Sequence, residues 1–323
     1  MSRQVLILVH SDDPHLPLVT RHLDDWGVPH WDLAADLIGS EIHPSVEVGS
    51  TRFAVDVGGW DWSRITTVWN RRVIVNPGWS TEPATDVMLE KHIHDQNLAL
   101  VDGLLASIPP EANWMNRIES RFARSKVHQL RLAAELRIPI PETLVSSDPN
   151  QIRAFARTHR VSGIITKLIA PTPSRVPNGE EQFSIFTTEI DPDEVGDSAL
   201  SSAVAIYQPK VRKTREARAI VVGNEVVCCA FDTQQSAQTA LDWRRYDFDA
   251  VPHYSIDLPS EFADRLVELV ARLGLIYAAI DVAELPDGSW LMFEVNPAGQ
   301  WAWLEELGGV PVGRTIAKWL ATA

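Results

Sequence analysis

Residues that would staple or anchor this chain, or draw it to polyanions, are scarce. Only two of its 323 residues are cysteines, Cys228 and Cys229, and they are adjacent. Neighbours cannot close a long loop, so no disulfide framework is available, and the pair reads as packed strand residues in a reducing cytoplasm. No apolar run approaches the roughly 18–20 residues a membrane-spanning helix needs, which predicts no membrane association. The opening run Val5–Val9 lacks a basic flank and a cleavage site, so it reads as a first buried strand rather than a signal peptide. Positive charge is short as well: 29 Lys and Arg against 43 Asp and Glu leave a net charge of −14. That excludes a broad nucleic-acid surface, although a small phosphate ligand needs only a few local cations. Also missing are the Gly-Lys of a P-loop, G-x-G-x-x-G, H-E-x-x-H and G-x-S-x-G.

What remains is a 45% hydrophobic chain long enough for two or three domains. Three parts are expected: 1–105, 106–205 and 206–323. In the first, strands at Val5–Val9, Thr51–Val57 and Ile65–Trp69 alternate with helices at Leu16–Trp26 and Glu82–Leu105, the pattern of an open parallel sheet. A linker, Ala106–Asn116, carries Pro109-Pro110, and Arg117–Arg137 reads as one helix ended by Pro139. Short strands at Thr143–Val145 and Gly163–Thr166 flank a helix at Pro149–Thr158. A Pro/Gly-rich loop, Ala170–Glu180, follows and leads to Phe183–Thr188. The last third is strand-rich: Val204–Gln208, Ala217–Val222, Glu225–Phe231, Ala278–Val282 and Trp290–Val295, with helices at Ser260–Leu273 and Val312–Leu320. The fold class is α/β followed by α+β.

The chemistry concentrates in Phe293-Glu294-Val295-Asn296-Pro297. Strand side chains alternate, so Glu294 and Asn296 share a face, about 7 Å apart, in an oxygen-rich arrangement suited to Mg²⁺. If the Pro286-Asp287-Gly288 turn joins two antiparallel strands, Asp281 faces Glu294 and completes the set. Any one such acid is more often merely solvated; the three together around a hairpin favour a metal site. Lys167 ends an apolar strand just before the Pro/Gly-rich loop, where a phosphate ligand would sit. Lys126, on a mixed-charge helix, has a solvated role as its ordinary alternative. Glu216 and Arg218 share a strand face, and arginine offers a planar fork for phosphate or carboxylate. An E-x-R pair alone is more often a surface ion pair. His92 and His94 face different directions on a helix, and His10 is as much structural as functional.

The ordered set Lys126, Lys167, Gln208–Val211, Glu216-Ala217-Arg218, Asp281 and Glu294–Pro297 resembles the ATP-grasp superfamily, and within it the graspetide synthetases, the microviridin-type maturases of ribosomal peptides. Four strings carry the resemblance: Trp69-Asn70-Arg71-Arg72, Asn116-Arg117 through Leu130, Asp242-Trp243-Arg244, and Glu294 through Glu305 with its Gly299-Gln300-Trp301. Departures are Asn70 and Val73 around the paired arginines, and Gln208-Pro209-Lys210-Val211 without an acidic residue. The resemblance implies an N-terminal pre-ATP-grasp α/β domain and two lobes enclosing ATP. Lys126 and Lys167 would hold phosphates, and Gln208, Pro209, Lys210 and Val211 would form the adenine-binding hinge. Asp281, Glu294 and Asn296 would hold two Mg²⁺, and Ala170–Glu180 would close as a lid.

The activity so implied is activation of Asp or Glu side chains of a ribosomal precursor peptide as acyl phosphates. Internal Ser, Thr or Lys nucleophiles then capture them as ester or amide macrocycles. Arg218 would steady the phosphoryl group, Glu216 face the nucleophile and Arg244 the acceptor carboxylate; an ion pair of Arg244 with Asp242 or Asp247 is equally open. Trp301 and Trp303 are candidate pocket walls, although aromatics more often fill core. The implied partners are the precursor's leader and core and a second copy in a homodimer, with no nucleic acid or membrane. Three alternatives stand beside this: a ligase adding a free amino acid, a non-catalytic ATP- or peptide-binding subunit, and a phosphotransferase.

Overall fold

The computed structural model describes residues 3–39, 41–50, 53–71, 87–117, 120–170, 186–245, 247 and 250–323. The first strands in order are β1 (Val5–Val9), β2 (His30–Ala34), β3 (Ser45–Val48), β4 (Phe53–Asp56), β5 (Thr67–Asn70) and β6 (Asn113–Met115). Four of them form a parallel sheet in the order β2-β1-β5-β6. β1 is central and covered on both sides, which is why its run Val-Leu-Ile-Leu-Val has no polar alternation. Helix α1 (Leu16–Asp25) starts at a proline-bearing first turn and stops at Gly27, whose φ of 64° suits glycine. Helix α2 is Val87–Ala106.

The second sheet, in the order β7-β10-β8-β9, is antiparallel and comprises β7 (Leu144–Ser146), β8 (Ile164–Lys167), β9 (Thr188–Ile190) and β10 (Ala205–Pro209). Before it stands α3 (Lys126–Glu135), and within it α4 (Pro149–Thr158) and the single turn α5 (Asp197–Leu200). The third sheet runs β13-β12-β11-β14-β15, again antiparallel. Its strands are β11 (Arg215–Val222), β12 (Glu225–Phe231), β13 (His253–Ile256), β14 (Tyr277–Glu284) and β15 (Trp290–Asn296). Helix α6 (Ser260–Arg272) buries Phe262, Leu266, Leu269 and Val270, one face at helical spacing, against Ala217, Ala219 and Val221 of β11. The other face of β11 turns Ile220 and Val222 into a core shared with β1, α1 and the C-terminal α8 (Val312–Thr322). α7 (Ala302–Gly308) precedes α8.

Several expectations change. Arg117–Arg137 is not one helix: a short 3-10 turn at Ser120–Arg124 precedes α3, whose N-cap Ser125 accepts from the His128 backbone N–H. Lys126 therefore opens a helix instead of lying inside one. The linker contains β6, which pairs with β5, so the first sheet reaches Met115, past the boundary expected at 105; β10 spans the one expected at 205. Of the strand expected at 51–57, the described residues form β4, which joins β3 in a separate hairpin and not the parallel sheet; Ala54 and Val55 are half-buried and Phe53 is exposed. The expected Ala170–Glu180 loop lies outside the described residues except for Ala170, as do Arg72 and the start of the helix expected from Glu82.

Candidate active site

Register builds the centre of the site. Arg218 on β11 pairs opposite Asp281 on β14, and Asp281 pairs opposite Glu294 on β15. Three charged side chains thus stand in a row across neighbouring strands, as the turn at Pro286-Asp287-Gly288 led one to expect for the last two. The ladder slips between Asp281 and Val282, so Phe293 has no partner residue and forms a bulge. A bulge interrupts alternation, and here Phe293 and Glu294, though adjacent, both line one cleft. The side chain of Gln129 substitutes for a neighbouring strand beside them: its amide donates to Val295 O at 2.8 Å and accepts from Val295 N at 3.1 Å. Asn116 makes four bonds of the same kind, donating to Tyr277 O and Pro297 O and accepting from Ile276 N and Tyr277 N. Both amides pin the strand ends that carry the acids.

The cleft, about 840 Å³, lies between the second and third sheets. Ile165, Lys167, Gln208, Pro209, Lys210 and Val211 line one side; Glu216, Asp281, Phe293 and Glu294 line the other, with Lys126 and Trp243 at its margins. Lys126 Nζ lies 3.0 Å from Glu294 and 3.1 Å from Leu168 O. Lys167 Nζ stands 4.8 Å from the centre of the Phe293 ring. Burial pulls the Lys167 pKa below the ordinary lysine value, with Glu294 opposing it. Glu216 is buried and holds Lys213 at 2.6 Å and the Thr233 hydroxyl at 3.2 Å. Burial raises its carboxyl pKa, against the pull of Lys213.

Arg218 is brought to Asp281 but does not itself line the cleft. Its Nε and Nη2 meet the two Asp281 oxygens at 2.9 and 3.2 Å, and Nη1 donates to Gln300 O at 2.9 Å. Among the described residues three of its five N–H donors are thereby engaged, leaving two. The guanidinium lies 4.6 Å from the Trp243 ring centre, and Trp243, Trp303, Phe231 and His253 form one aromatic cluster. Burial works against its charge, but Asp281 outweighs that and holds its pKa above the ordinary arginine value. Asn296, two residues beyond Glu294, is exposed and lies off the cleft wall; its Oδ1 accepts from Ala298 N at 3.3 Å. Arg244 belongs to the turn Trp243–Arg245, and its side chain lies outside the described residues. Asp242 accepts from Thr187 N, and Asp247 from the Ser236 hydroxyl. Trp301, a candidate pocket wall, is instead fully buried against His15, because α7 starts there and turns its ring into the core.

Two features test whether a nucleotide and a divalent cation suit these residues. Among the described residues no three His, Cys, Asp or Glu side chains gather as a metal cluster. Two register-paired carboxylates are nevertheless what Mg²⁺ uses when phosphate oxygens complete its shell. The second feature is Gln208, 3% exposed, whose Oε1 has no hydrogen-bond partner among the described residues. Thr143 gives its hydroxyl proton to Pro141 O, so it accepts from Gln208 Nε2 at 2.9 Å. That fixes the amide with a free acceptor beside the hinge, complementary to the amino group of adenine. The residues fit both groups.

No family model matches the chain, and no curated protein sequence does. Solved structures match it. The macrocyclase MdnC of Microcystis aeruginosa MRC, bound with precursor peptide MdnA, is 26% identical over 98% of each chain, with a TM-score of 0.82. A RiPP-associated ATP-grasp ligase of Chryseobacterium gregarium, in complex with ADP and a leader and core peptide, is 24% identical, covering 98% of this chain and 96% of its own, with a TM-score of 0.86. The ATP-grasp ligase PsnB, in complex with Mg, ADP and a phosphomimetic variant of minimal precursor, is 19% identical over 98% and 97%, with a TM-score of 0.74. The fold is thus that of the ATP-grasp ligases across nearly the whole chain. Among the matches are ligases and a macrocyclase of ribosomal peptides, in keeping with the resemblance to the graspetide synthetases.

Proposed function

We propose that this chain is an ATP-dependent, Mg²⁺-using ligase that cross-links side chains of a ribosomal precursor peptide. Asp281 and Glu294, paired at the wall of a two-sided cleft with Arg218 held behind Asp281, carry that reading. A carboxylate oxygen of the peptide attacks the γ-phosphorus of ATP and ADP leaves, giving an acyl phosphate. A hydroxyl or amine of the same peptide then attacks the acyl carbon, phosphate leaves, and the nucleophile's proton passes to a base. Mg²⁺, one ion or two, would neutralise phosphate charge when bound, with Asp281, Glu294 and Asn296 to hold it. Lys126 and Lys167 are assigned to the phosphates, and Gln208, Pro209, Lys210 and Val211 to adenine. Arg218, with two N–H donors left, is assigned to the transferring phosphoryl group. Glu216, buried with a raised pKa, is suited to take the nucleophile's proton. Arg244 is assigned to the acceptor carboxylate.

Three domains at about 1–105, 106–205 and 206–323 would correspond to an N-terminal domain and two grasping lobes, with the first extended to include β6. Cys228 and Cys229, buried free thiols, suit a cytoplasmic setting. The homodimer implied by the resemblance would be read from mass in solution.

Intact-mass measurement tests the function. The enzyme is incubated with Mg²⁺, ATP and a precursor carrying a leader and an acidic, Thr-rich core. Each condensation should remove one water, about 18 Da. A gain of about 80 Da would mean phosphotransfer and overturn the ligase. An unchanged peptide with ATP still bound would point to a free-amino-acid ligase or a binding subunit.

A further inference from the structure

Just beyond β15, three consecutive carbonyls each accept a buried side-chain donor. Ala298 O takes Arg71 Nη1 at 3.0 Å, Gly299 O takes the Tyr277 hydroxyl at 2.7 Å, and Gln300 O takes Arg218 Nη1 at 2.9 Å. The peptide group that supplies the last carbonyl also supplies the Trp301 N–H, which meets His15 Nε2 at 3.0 Å. A backbone N–H can only donate, so Nε2 is its acceptor and the ring proton sits on Nδ1, 2.5 Å from Asp13 Oδ1; Arg71 Nη2, also a donor, lies 3.2 Å from Nδ1 and 3.4 Å from Nε2, and with Nδ1 protonated only Nε2 can accept from it. Asp13 is also approached by Arg71 Nε at 3.4 Å. Burial disfavours its charge, but His15 and Arg71 outweigh that and draw its pKa down to about 2. His15, Asp13 and Arg71 are all buried and sit just past the C-terminal ends of β1 and β5. In open α/β sheets this crevice commonly takes a ligand. Here the chain's own 298–301 segment fills it.

We infer that His15 is a positioning residue for Arg218, acting through the single peptide group between Gln300 and Trp301. Its ring holds the N–H end of that peptide while the carbonyl end holds Arg218, whose fork in turn orients the Asp281 carboxylate. The N-terminal sheet thereby sets the geometry of a metal-binding acid in a different sheet. The inference rests on the proposed use of Asp281 and Arg218 for Mg²⁺-nucleotide.

The test compares His15→Gln with His15→Asn. Both remove the ring, and only glutamine can put an acceptor near the place of Nε2. The probe is the non-hydrolysable analogue AMPPNP, titrated with and without Mg²⁺. His15→Asn should weaken Mg²⁺-AMPPNP about tenfold and leave metal-free binding unchanged, while His15→Gln stays within about threefold of wild type. In an Arg218→Ala background His15→Asn should add nothing, because its path is already cut. Amide exchange at Trp301 should quicken in His15→Asn alone.

Equal losses in the two variants, or full additivity with Arg218→Ala, would overturn the role. If the His15 variants do not fold, Asp13→Ala leaves the ring in place but withdraws the acceptor that fixes its tautomer. It should weaken Mg²⁺-AMPPNP selectively, and an unchanged affinity would overturn the role. A wild-type chain that binds no AMPPNP would overturn the proposed function itself, and the role of His15 with it. That failure appears in the parent protein, before any variant is measured.

Discussion

Asp281 and Glu294 face each other across a β-bulge, and each carboxylate is held by a cation from a different element: Arg218 of the neighbouring strand and Lys126 of a helix start. The two pairs differ in burial. Asp281 is 6% exposed, whereas the Glu294 and Lys126 side chains are each about a quarter exposed. Removing one charge therefore has a different structural cost on each side.

Glu294→Gln should leave stability within about 1 kcal/mol, as expected for a part-exposed pair, and reduce turnover at least about a hundredfold. Asp281→Asn should also abolish turnover, but it strands a buried guanidinium and should cost about 3 kcal/mol. Thermal unfolding beside phosphate release separates the two effects. Wild-type-like turnover in Glu294→Gln would remove Glu294 from the metal site.

The Gln208 acceptor should confer nucleobase preference. Adenine offers an amino group where guanine offers a carbonyl oxygen, and two acceptors facing each other leave one buried and unsatisfied. ATP should compete at least about tenfold better than GTP. Gln208→Leu should weaken ATP about three- to tenfold and shrink that preference. An undiminished preference in the variant would show that adenine is read elsewhere.

Local pattern was enough to read the acid hairpin, because the turn at Pro286-Asp287-Gly288 is a short-range signal, but alternation along Phe293–Pro297 did not foresee Phe293 and Glu294 together at the cleft with Asn296 off its wall. The central strand β1 was legible for the same reason, since a run buried on both faces has no period to misread. Two edge strands escaped. β2 reads His-Trp-Asp-Leu-Ala and β13 His-Tyr-Ser-Ile, each paired on one side only among the described residues and too polar to stand out. The bulge at Phe293 was invisible because it depends on register with Val282 and Met292. Gln129, Asn116 and His15 act through bonds to residues 160 or more positions away. A buried amide or imidazole carries no local mark of such a partner. The resemblance pointed at the string around Asn116 without giving its reason, which is four bonds to the ends of β14 and β15.

Glu216 sets a pH expectation. Its folded pKa is raised above the ordinary 4.5, so the folded state holds a proton that the unfolded state has released across the interval above 4.5. In that interval this group's contribution to stability falls as pH rises, and the base form that the proposed proton transfer would use grows. The acid limb of the turnover profile should therefore lie above 4.5, and Glu216→Gln should lower turnover and flatten that limb. An acid limb that persists unchanged in Glu216→Gln would assign it to another group.

Gly299 offers a steric test of the segment that carries Arg218's carbonyl partner. A Cβ there would lie 2.4 Å from Ala279 Cβ, inside a sheet face where neither backbone can easily give way. Gly299→Ala should cost about 1–3 kcal/mol by overpacking. Because Gly299 O holds the Tyr277 hydroxyl and the next carbonyl holds Arg218, turnover should fall beyond what the lost stability accounts for. Gly103→Ala is the control. It lies within α2 with nothing among the described residues within 4 Å of the added methyl, so it should stabilise the helix by about 0.5–1 kcal/mol and leave turnover alone. If Gly299→Ala unfolds at the wild-type temperature and turns over normally, the segment tolerates displacement and its carbonyls do not set the position of Arg218. If it folds with a modest loss of stability and little activity, the contact between Gly299 and Ala279 is one of the constraints that hold the Gln300 carbonyl against the guanidinium.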